Sequence, residues 1–353
     1  MKNISEGKIK IEIYEQKKVS KELPVFYNPL MELNRTLSVL LLNAINKHLM
    51  QIALPLSGTG IRGLRFMFEL NENKLRNISF NDNSKEAVEL IKQNFKLNNL
   101  KHKALARKGF AYIENQDANL FLLNGTGFDY IDIDPFGPPT PFLDSAIKRL
   151  AREGILAVTA TDTSALSGTY PKACKRKYWA TPNRNAIMHE IGLRILIRRV
   201  QLIGTAHQKA LTPIFSYSKN HYMRVFFSCI KSKEECDKII KQHNRLDNAG
   251  PLWVGQLWNH QLVKEMLKNC NEDNKETKQF LTKLELESNI NQVGFYQLHT
   301  ICKKEQLPIP NFQLLIDKIK KAGFKVARTH FSDKGIRSDV SYEELVKIIT
   351  KLN

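Results

Sequence analysis

The chain of 353 residues carries 54 Lys and Arg against 35 Asp and Glu, a formal net charge of +19. That length accommodates two domains with a core each, and the composition excludes a disordered or low-complexity chain. No apolar run reaches the length of a membrane span, and the first residues carry no apolar signal core. A cytoplasmic protein without membrane association, working as a monomer, is therefore the expectation. Excess positive charge draws a polyanion, but by itself it does not choose among RNA, DNA and an anionic membrane surface. Cys174, Cys229, Cys236, Cys270 and Cys302 are scattered and form no C-x-x-C pair. That argues against a disulfide framework and a cysteine zinc ribbon, and no metal is expected.

In chain order, Ile52–Leu56 reads as a buried strand and residues 61–70 as a helix. Ile78–Asn81 is a short strand ending at Asp82, and 84–98 an amphipathic helix. Ala111–Glu114 is a strand before Asp117, and Phe128–Ile133 a strand ending at Asp134. A helix over 142–152, the apolar strand Gly154–Ala160, an apolar-striped helix over 185–203 and a strand over 221–230 follow. Such alternation implies an α/β fold, a Rossmann-like parallel sheet with helices on both faces. Ligands in such sheets sit beyond the carboxyl ends of the strands. Gly58, Asp82, Asp117 and Asp134 each fall just after a strand, so the four converge on one edge. Beyond residue 230 the pattern turns polar and helical over 231–246 and 261–287, with amphipathic helices over 311–322 and 341–352. The expected organisation is a ligand-binding domain over 1–230 and a smaller mixed α+β domain over 231–353.

Gly58-Thr59-Gly60-Ile61-Arg62-Gly63 fits G-x-G-x-x-G between a strand and a helix, with Asp82 placed to accept hydrogen bonds from ribose hydroxyls. A dinucleotide-binding fold predicts the same pair, so the cofactor stays open at this point. Asp134-Pro135-Phe136-Gly137 discriminates further. An exocyclic amine conjugated with a planar base is a poor nucleophile, because its lone pair is delocalised. Two acceptors holding its N–H groups favour the geometry that aims the lone pair at a methyl donor. Asp134 supplies a carboxylate, Pro135 a carbonyl on a constrained backbone, and Phe136 a ring to stack on the base. The plain alternative is a strand-to-turn sequence without a role. Between Asp162 and Glu190 lie Lys172, Lys175, Arg176, Lys177 and Arg184 with no acidic residue, interleaved with Tyr170, Tyr178 and Trp179. Basic residues among aromatics suit a phosphate backbone with unstacked bases; a solvated helix face is the bland reading.

With these residues in hand, the chain closely resembles the tRNA guanine-26 N2-dimethyltransferase family in its archaeal form. The resemblance runs in order through Pro24-Val25-Phe26-Tyr27-Asn28-Pro29, Leu33-Asn34-Arg35, Gly60-Ile61-Arg62-Gly63-Leu64-Arg65-Phe66, Asn81-Asp82, Asp117-Ala118-Asn119 and Ile131-Asp132-Ile133-Asp134-Pro135-Phe136-Gly137. Gly154–Asp162, Arg176-Lys177-Tyr178, Gly250–Gly255 and Arg328–Ser332 extend it. The resemblance implies that S-adenosyl-L-methionine is the cofactor and tRNA the partner. Arg35 and Arg62 would hold the methionine carboxylate, Asp82 the ribose, and Asp117 with the Ala118 backbone the adenine, over a loop containing Gly58 and Gly60. Asp134 would be the catalytic acceptor, with Pro135 and Phe136 beside it. Phe26 and Tyr27 would help to close the base pocket, Lys175, Arg176 and Lys177 would meet the RNA, and the C-terminal domain would help to hold it. The target would be N2 of guanine-26, methylated twice. Family members often carry an acidic residue in the strand before the glycine loop, where this chain has Leu54. Some carry zinc-binding cysteines ahead of the Gly250–Gly255 segment, where this chain has only Cys229 and Cys236.

Three rival readings remain at this level. One is a methyltransferase acting on another base amine, such as adenine N6, in RNA or DNA. Another is a non-catalytic RNA-binding protein with a degenerate cofactor fold, for which Leu54 speaks. A nicotinamide-dependent oxidoreductase leaves Asp134–Gly137 unexplained.

Overall fold

The computed structural model describes residues 1–15, 24–100, 105–106 and 109–352. Packing divides the chain into two compact units. One comprises Met1–Ala160, Val200–Thr212 and Phe226–Ile239; the other comprises Thr161–Arg199, Pro213–Val225 and Ile240–Asn353. That division differs from a single cut between residues 230 and 231, because the chain passes between the units several times rather than once.

The first unit opens with a hairpin of β1 (Lys2–Glu6) and β2 (Ile9–Ile13), in which Ile9, Ile11 and Ile13 alternate inward. Then come α1 (Glu32–Ala44), β3 (Met50–Leu54), α2 (Ile61–Glu69), β4 (Leu75–Asn81), α3 (Lys85–Leu97), β5 (Leu105–Ala106) and β6 (Gly109–Glu114). They are followed by α4 (Ala118–Asn124), β7 (Phe128–Ile133), α5 (Leu143–Arg149) and β8 (Leu150–Ala160). Strand β3 pairs in parallel with β4 on one side and β7 on the other; β4 pairs with β6 and β7 with β8, also in parallel. The chain thus builds outward from β3 through β4 to β6, then returns to the far side of β3 with β7. The crevice at the carboxyl ends of β3 and β7 is the switch point of a doubly wound sheet, where ligands bind. The cores of these strands, such as Ile52, Ala53, Ile131 and Ile133, are buried on both faces, as a covered parallel sheet requires.

Helices α6 (Thr163–Leu166), α7 (Pro171–Tyr178) and α8 (Met188–Ala206) come next, followed by the hairpin of β9 (Lys209–Lys219) and β10 (Tyr222–Lys231), whose strands complete the sheet in the order β5-β6-β4-β3-β7-β8-β10-β9. Then follow α9 (Lys233–Ile240), the antiparallel pair β11 (His243–Leu246) and β12 (Ala249–Trp253), α10 (His260–Lys268) and α11 (Lys275–Ser288). The chain closes with β13 (Tyr296–Gln297), α12 (Leu298–Lys304), α13 (Phe312–Lys321), β14 (Val326–Arg328), β15 (Gly335–Ser338) and α14 (Tyr342–Thr350). Leu298, Leu315, Ile319, Ile336, Leu345 and Ile349 form an apolar core under this last sheet.

The second unit also buries an ion network. Arg337 donates to Glu190 Oε2 at 2.7 Å and to Glu287 Oε1 at 3.0 Å; Arg194 donates to Glu190 at 2.8 Å; His330 Nδ1 lies 2.7 Å from Glu287 Oε2. Burial works to raise the Glu287 carboxyl, and His330 and Arg337 overcome it and bring it down to about 2. His330 is thus held inside, with its side chain 1% exposed. Trp253 and Trp258 are buried, and their indole N–H groups donate to Gln256 and Ser216 carbonyls.

Candidate active site

Local chemistry sets each edge of the crevice. After β3 the chain turns through Gly58 (φ +53°) and Gly60 (φ +78°) into α2; Gly60 stands at the helix N-cap in the left-handed region that favours glycine. A Cβ at Gly60 would lie 3.1 Å from Ile91, so the turn also packs tightly on α3. Asp82, one residue past β4, accepts from the Gly58 N–H at 2.9 Å and from Ser84 N at 3.0 Å. Its carboxylate therefore grips the glycine loop and fixes Ser84, the N-cap of α3. Asp117 is exposed and caps α4, accepting from Asn119 N and Leu120 N at 2.9 and 3.1 Å; Ala118 behind it is buried. Asn115 Nδ2 donates to the Asp82 carbonyl at 2.8 Å, which ties the ends of β4 and β6 together.

The edge formed by Phe26, Phe136 and Asp134 is continuous with this loop. Gly58 lies beneath the Phe26 carbonyl, 3.6 Å from where a Cβ would stand. Phe26 meets Phe136 edge to face with ring centroids 4.6 Å apart, and Phe136 is 56% exposed, an aromatic face left open to a ligand. Asp134, at the end of β7, receives a hydrogen bond from Arg62 Nη2. The same guanidinium donates to Asn34 Oδ1 at 2.9 Å and Ser38 Oγ at 3.0 Å, and its Nε lies 3.6 Å from buried Asp132. The structure therefore brings together Gly58, Gly60, Arg62, Asp82, Phe26, Asp134 and Phe136, and places Asp117 and Ala118 at the neighbouring strand end.

Two residues assigned to ligands by resemblance are engaged elsewhere. Arg35 is 5% exposed, and its fork is closed on Glu6, Nε to Oε1 at 2.6 Å and Nη2 to Oε2 at 2.5 Å. Tyr27 is buried too, donates from its hydroxyl to Glu6 at 3.1 Å and lies under the Arg35 guanidinium. Burial first, then the Glu6 charge, pushes this phenol up to about 12. Tyr27 thus forms a wall of the Glu6 site. Burial works to raise the Glu6 carboxyl, but Arg35 and Arg65 outweigh it and hold it below its usual range. Leu54, in place of an acidic residue, is buried; a Cβ on Gly63 would come within 2.7 Å of its side chain and 2.1 Å of Phe80.

Sequence reasoning missed Glu6, Asn34, Ser38, Arg65 and Asp132. Asn34, Arg65 and Asp132 lie inside the matching stretches without a role there, and Asp132 also stands out as a carboxylate inside the apolar run Ile131–Ile133. Among the described residues no three His, Cys, Asp or Glu side chains converge on a metal site, and no helix is long and apolar enough to cross a membrane.

In the second unit, Lys175 and Arg176 are exposed on α7. Lys177 instead donates to Asp162 at 3.0 Å, and buried Tyr178 donates to the same carboxylate at 2.5 Å. Burial and Asp162 both push the Tyr178 phenol up. Trp179, 58% exposed at the end of α7, carries the Arg199 guanidinium 3.7 Å above its ring.

The model of the family described as N2,N2-dimethylguanosine tRNA methyltransferase matches residues 7–246 and 242–350. The chain belongs to this family. A relative from Aquifex aeolicus, named tRNA (guanine(26)-N(2)/guanine(27)-N(2))-dimethyltransferase, is 38% identical over all of this chain and 96% of its own length. One from Methanocaldococcus jannaschii, named tRNA (guanine(26)-N(2))-dimethyltransferase, is 34% identical over 98% of each. The solved structure of Trm1 from Pyrococcus horikoshii with S-adenosyl-L-methionine superposes with a TM-score of 0.89 at 32% identity, over 99% of this chain and all of that one. Likeness of this extent makes the Rossmann-like methyltransferase fold that of the family.

Proposed function

We propose that this chain transfers methyl groups from S-adenosyl-L-methionine to the exocyclic N2 of guanine-26 in tRNA, giving N2-methyl- and then N2,N2-dimethylguanosine. The observation that carries the reading is the continuous edge from Asp82 through Gly58 and Phe26 to Phe136 and Asp134, in a chain of this family. The glycine turn, the Asp82 carboxylate at a strand end and the exposed Asp117 fit a nucleoside-bearing cofactor. Arg62, within its ring of acceptors, would hold the methionine carboxylate, and Arg35 would contribute from behind through α1.

When bound, the cofactor supplies an electrophilic methyl group on a sulfonium. The remaining work falls to side chains. The target guanine leaves its stack at a cost of a few kcal/mol. Phe136, braced by Phe26, packs on the extruded ring. Asp134 and the Pro135 carbonyl accept the amine N–H groups and turn the nitrogen lone pair toward the donor. As the nitrogen bonds to carbon, Asp134 takes its proton. A second round presents the remaining N–H of the monomethyl amine to the same carboxylate. Lys175 and Arg176, with residues 231–353, hold the tRNA, and the enzyme works in the cytoplasm as a monomer.

Labelled S-adenosyl-L-methionine, incubated with tRNA bearing guanine or adenine at position 26, tests this. Nucleoside mapping should place the label at guanine-26 and lose it in the adenine transcript. Equal labelling of both transcripts overturns the position. Position 27 is scored in the same map, because the name of the Aquifex aeolicus relative includes it.

A further inference from the structure

A second concavity lies wholly within the second unit, remote in sequence from every residue of the strand-end site. It encloses about 310 Å³ and is lined by His189, Ser218, Lys219, Asn220, Phe280, Lys283, His330, Phe331 and Asp333. That volume is at the lower end of the range for ligand sites and suits one nucleotide. Its lining is not that of an apolar ligand site: the Lys219 ammonium stands over the Phe280 ring, and Lys283 lines the same pocket. Phe280 and Lys283 lie three residues apart on α11 and so share a helix face. Lys219 reaches in from the β9–β10 hairpin, its Nζ 5.2 Å from the Phe280 ring centroid.

The floor is rigid. Phe280 is braced edge to face by Tyr217 at 5.5 Å and by His330 at 6.0 Å, and His330 is anchored to buried Glu287. The rim is loose. Lys219 pairs with Glu276, whose side chain is 71% exposed, and Lys283 with Asp333, 98% exposed. Exposed pairs of this kind contribute little, so an incoming phosphate can replace either carboxylate. An aromatic floor with cationic rims is how single-stranded nucleotides are held without reading their sequence.

We propose that this pocket anchors one unstacked nucleotide of the tRNA, its base against Phe280 and its phosphate between Lys219 and Lys283. The proposal rests on the reading of the chain as a tRNA methyltransferase and adds a contact away from the methylated base. Ser218 and neutral His189, whose protonation burial disfavours, offer hydrogen bonds to the sugar or base edge.

The test compares the full-length wild type with Phe280→Ala and with Lys219→Glu/Lys283→Glu. Binding of a tRNA transcript is measured across a salt series, and S-adenosyl-L-methionine binding by calorimetry. The charge reversal should weaken tRNA binding at least ~10-fold and reduce the log–log salt slope by roughly 1. Phe280→Ala should weaken it about 5- to 100-fold with the salt slope unchanged. Cofactor affinity and the single-turnover rate at saturating tRNA should stay as in wild type, and the thermal midpoint should fall only in Phe280→Ala, which loses the ring packed on Tyr217 and His330. Unchanged tRNA affinity and slope in both variants, with wild type binding and methylating tRNA normally, overturns the pocket alone. Free mononucleotides binding the wild-type pocket while tRNA does not compete with them also overturns it. A wild type that binds no tRNA overturns the parent reading, and this one with it.

Discussion

Arg62, on the first turn of α2, donates directly to the carboxylate of Asp134 at the end of β7. One guanidinium thereby touches the proposed acceptor, while Asn34 and Ser38 from α1 hold it from behind. The proposed cofactor and base halves of the crevice thus share a side chain.

This sharing separates two variants. Asp134→Asn keeps shape and removes the charge that orients the amine, so methylation of tRNA should fall by about 10²–10³-fold while cofactor affinity changes only a few-fold. Arg62→Lys keeps the charge but loses the planar fork, and should lower both cofactor affinity and turnover. Calorimetry and single-turnover labelling measure the two separately. Wild-type turnover in Asp134→Asn would remove the residue from the mechanism.

Gly63 should tolerate no side chain. A Cβ would stand 2.1 Å from Phe80 and 2.7 Å from Leu54, inside a packed core. Gly63→Ala should cost about 1–3 kcal/mol of stability. The double variant with Phe80→Leu should recover part of that, read by denaturant unfolding.

Acid should unfold the second unit through Glu287. Its carboxyl is at about 2 in the folded chain against 4.5 when free of its partners. A lowered folded value means the stabilisation is complete above 4.5 and is lost as pH falls toward 2. The gap corresponds to about 3 kcal/mol. Unfolding free energy measured between pH 6 and 2, a range set by roughly these two values, should drop along this window, and Glu287→Gln should flatten the drop while lowering the plateau.

Charge reversal on α7, Lys175→Glu with Arg176→Glu, should weaken tRNA binding and reduce its salt dependence, because both side chains are exposed. The same change at Lys177 should instead act on stability, since its ammonium is tied to Asp162.

The parallel core was readable from sequence because buried strands and striped helices leave periodic marks. Phe128–Ile133 matches its strand residue for residue, and the helices expected over 61–70 and 84–98 match α2 and α3 to within a residue at either end. The strand ends were readable for the same reason, and with them Gly58, Asp82, Asp117 and Asp134. The helix expected over 142–152 stops at Arg149, because Leu150 already belongs to β8. Residues 231–246 look uniformly polar, yet hold α9 and then β11, whose pairing with β12 is a contact periodicity does not record. The partners of Arg35 and Tyr27 were invisible for a related reason. Glu6 lies in a short strand with no motif, and only folding brings it to α1.

Glu6 also makes the first few residues more consequential than an amino-terminal hairpin suggests. It is the counter-ion of Arg35 and Arg65 and the acceptor of Tyr27. Arg35 is followed on the same helix by Ser38, and preceded by Asn34, the two residues that hold Arg62. Trimming the chain past Glu6 would leave buried Arg35 without its carboxylate and Arg65 with Glu69 alone, and would loosen the helix that aims the arginine at Asp134. An affinity handle intended for this protein therefore belongs at the other terminus, or ahead of an intact Lys2–Glu6 strand.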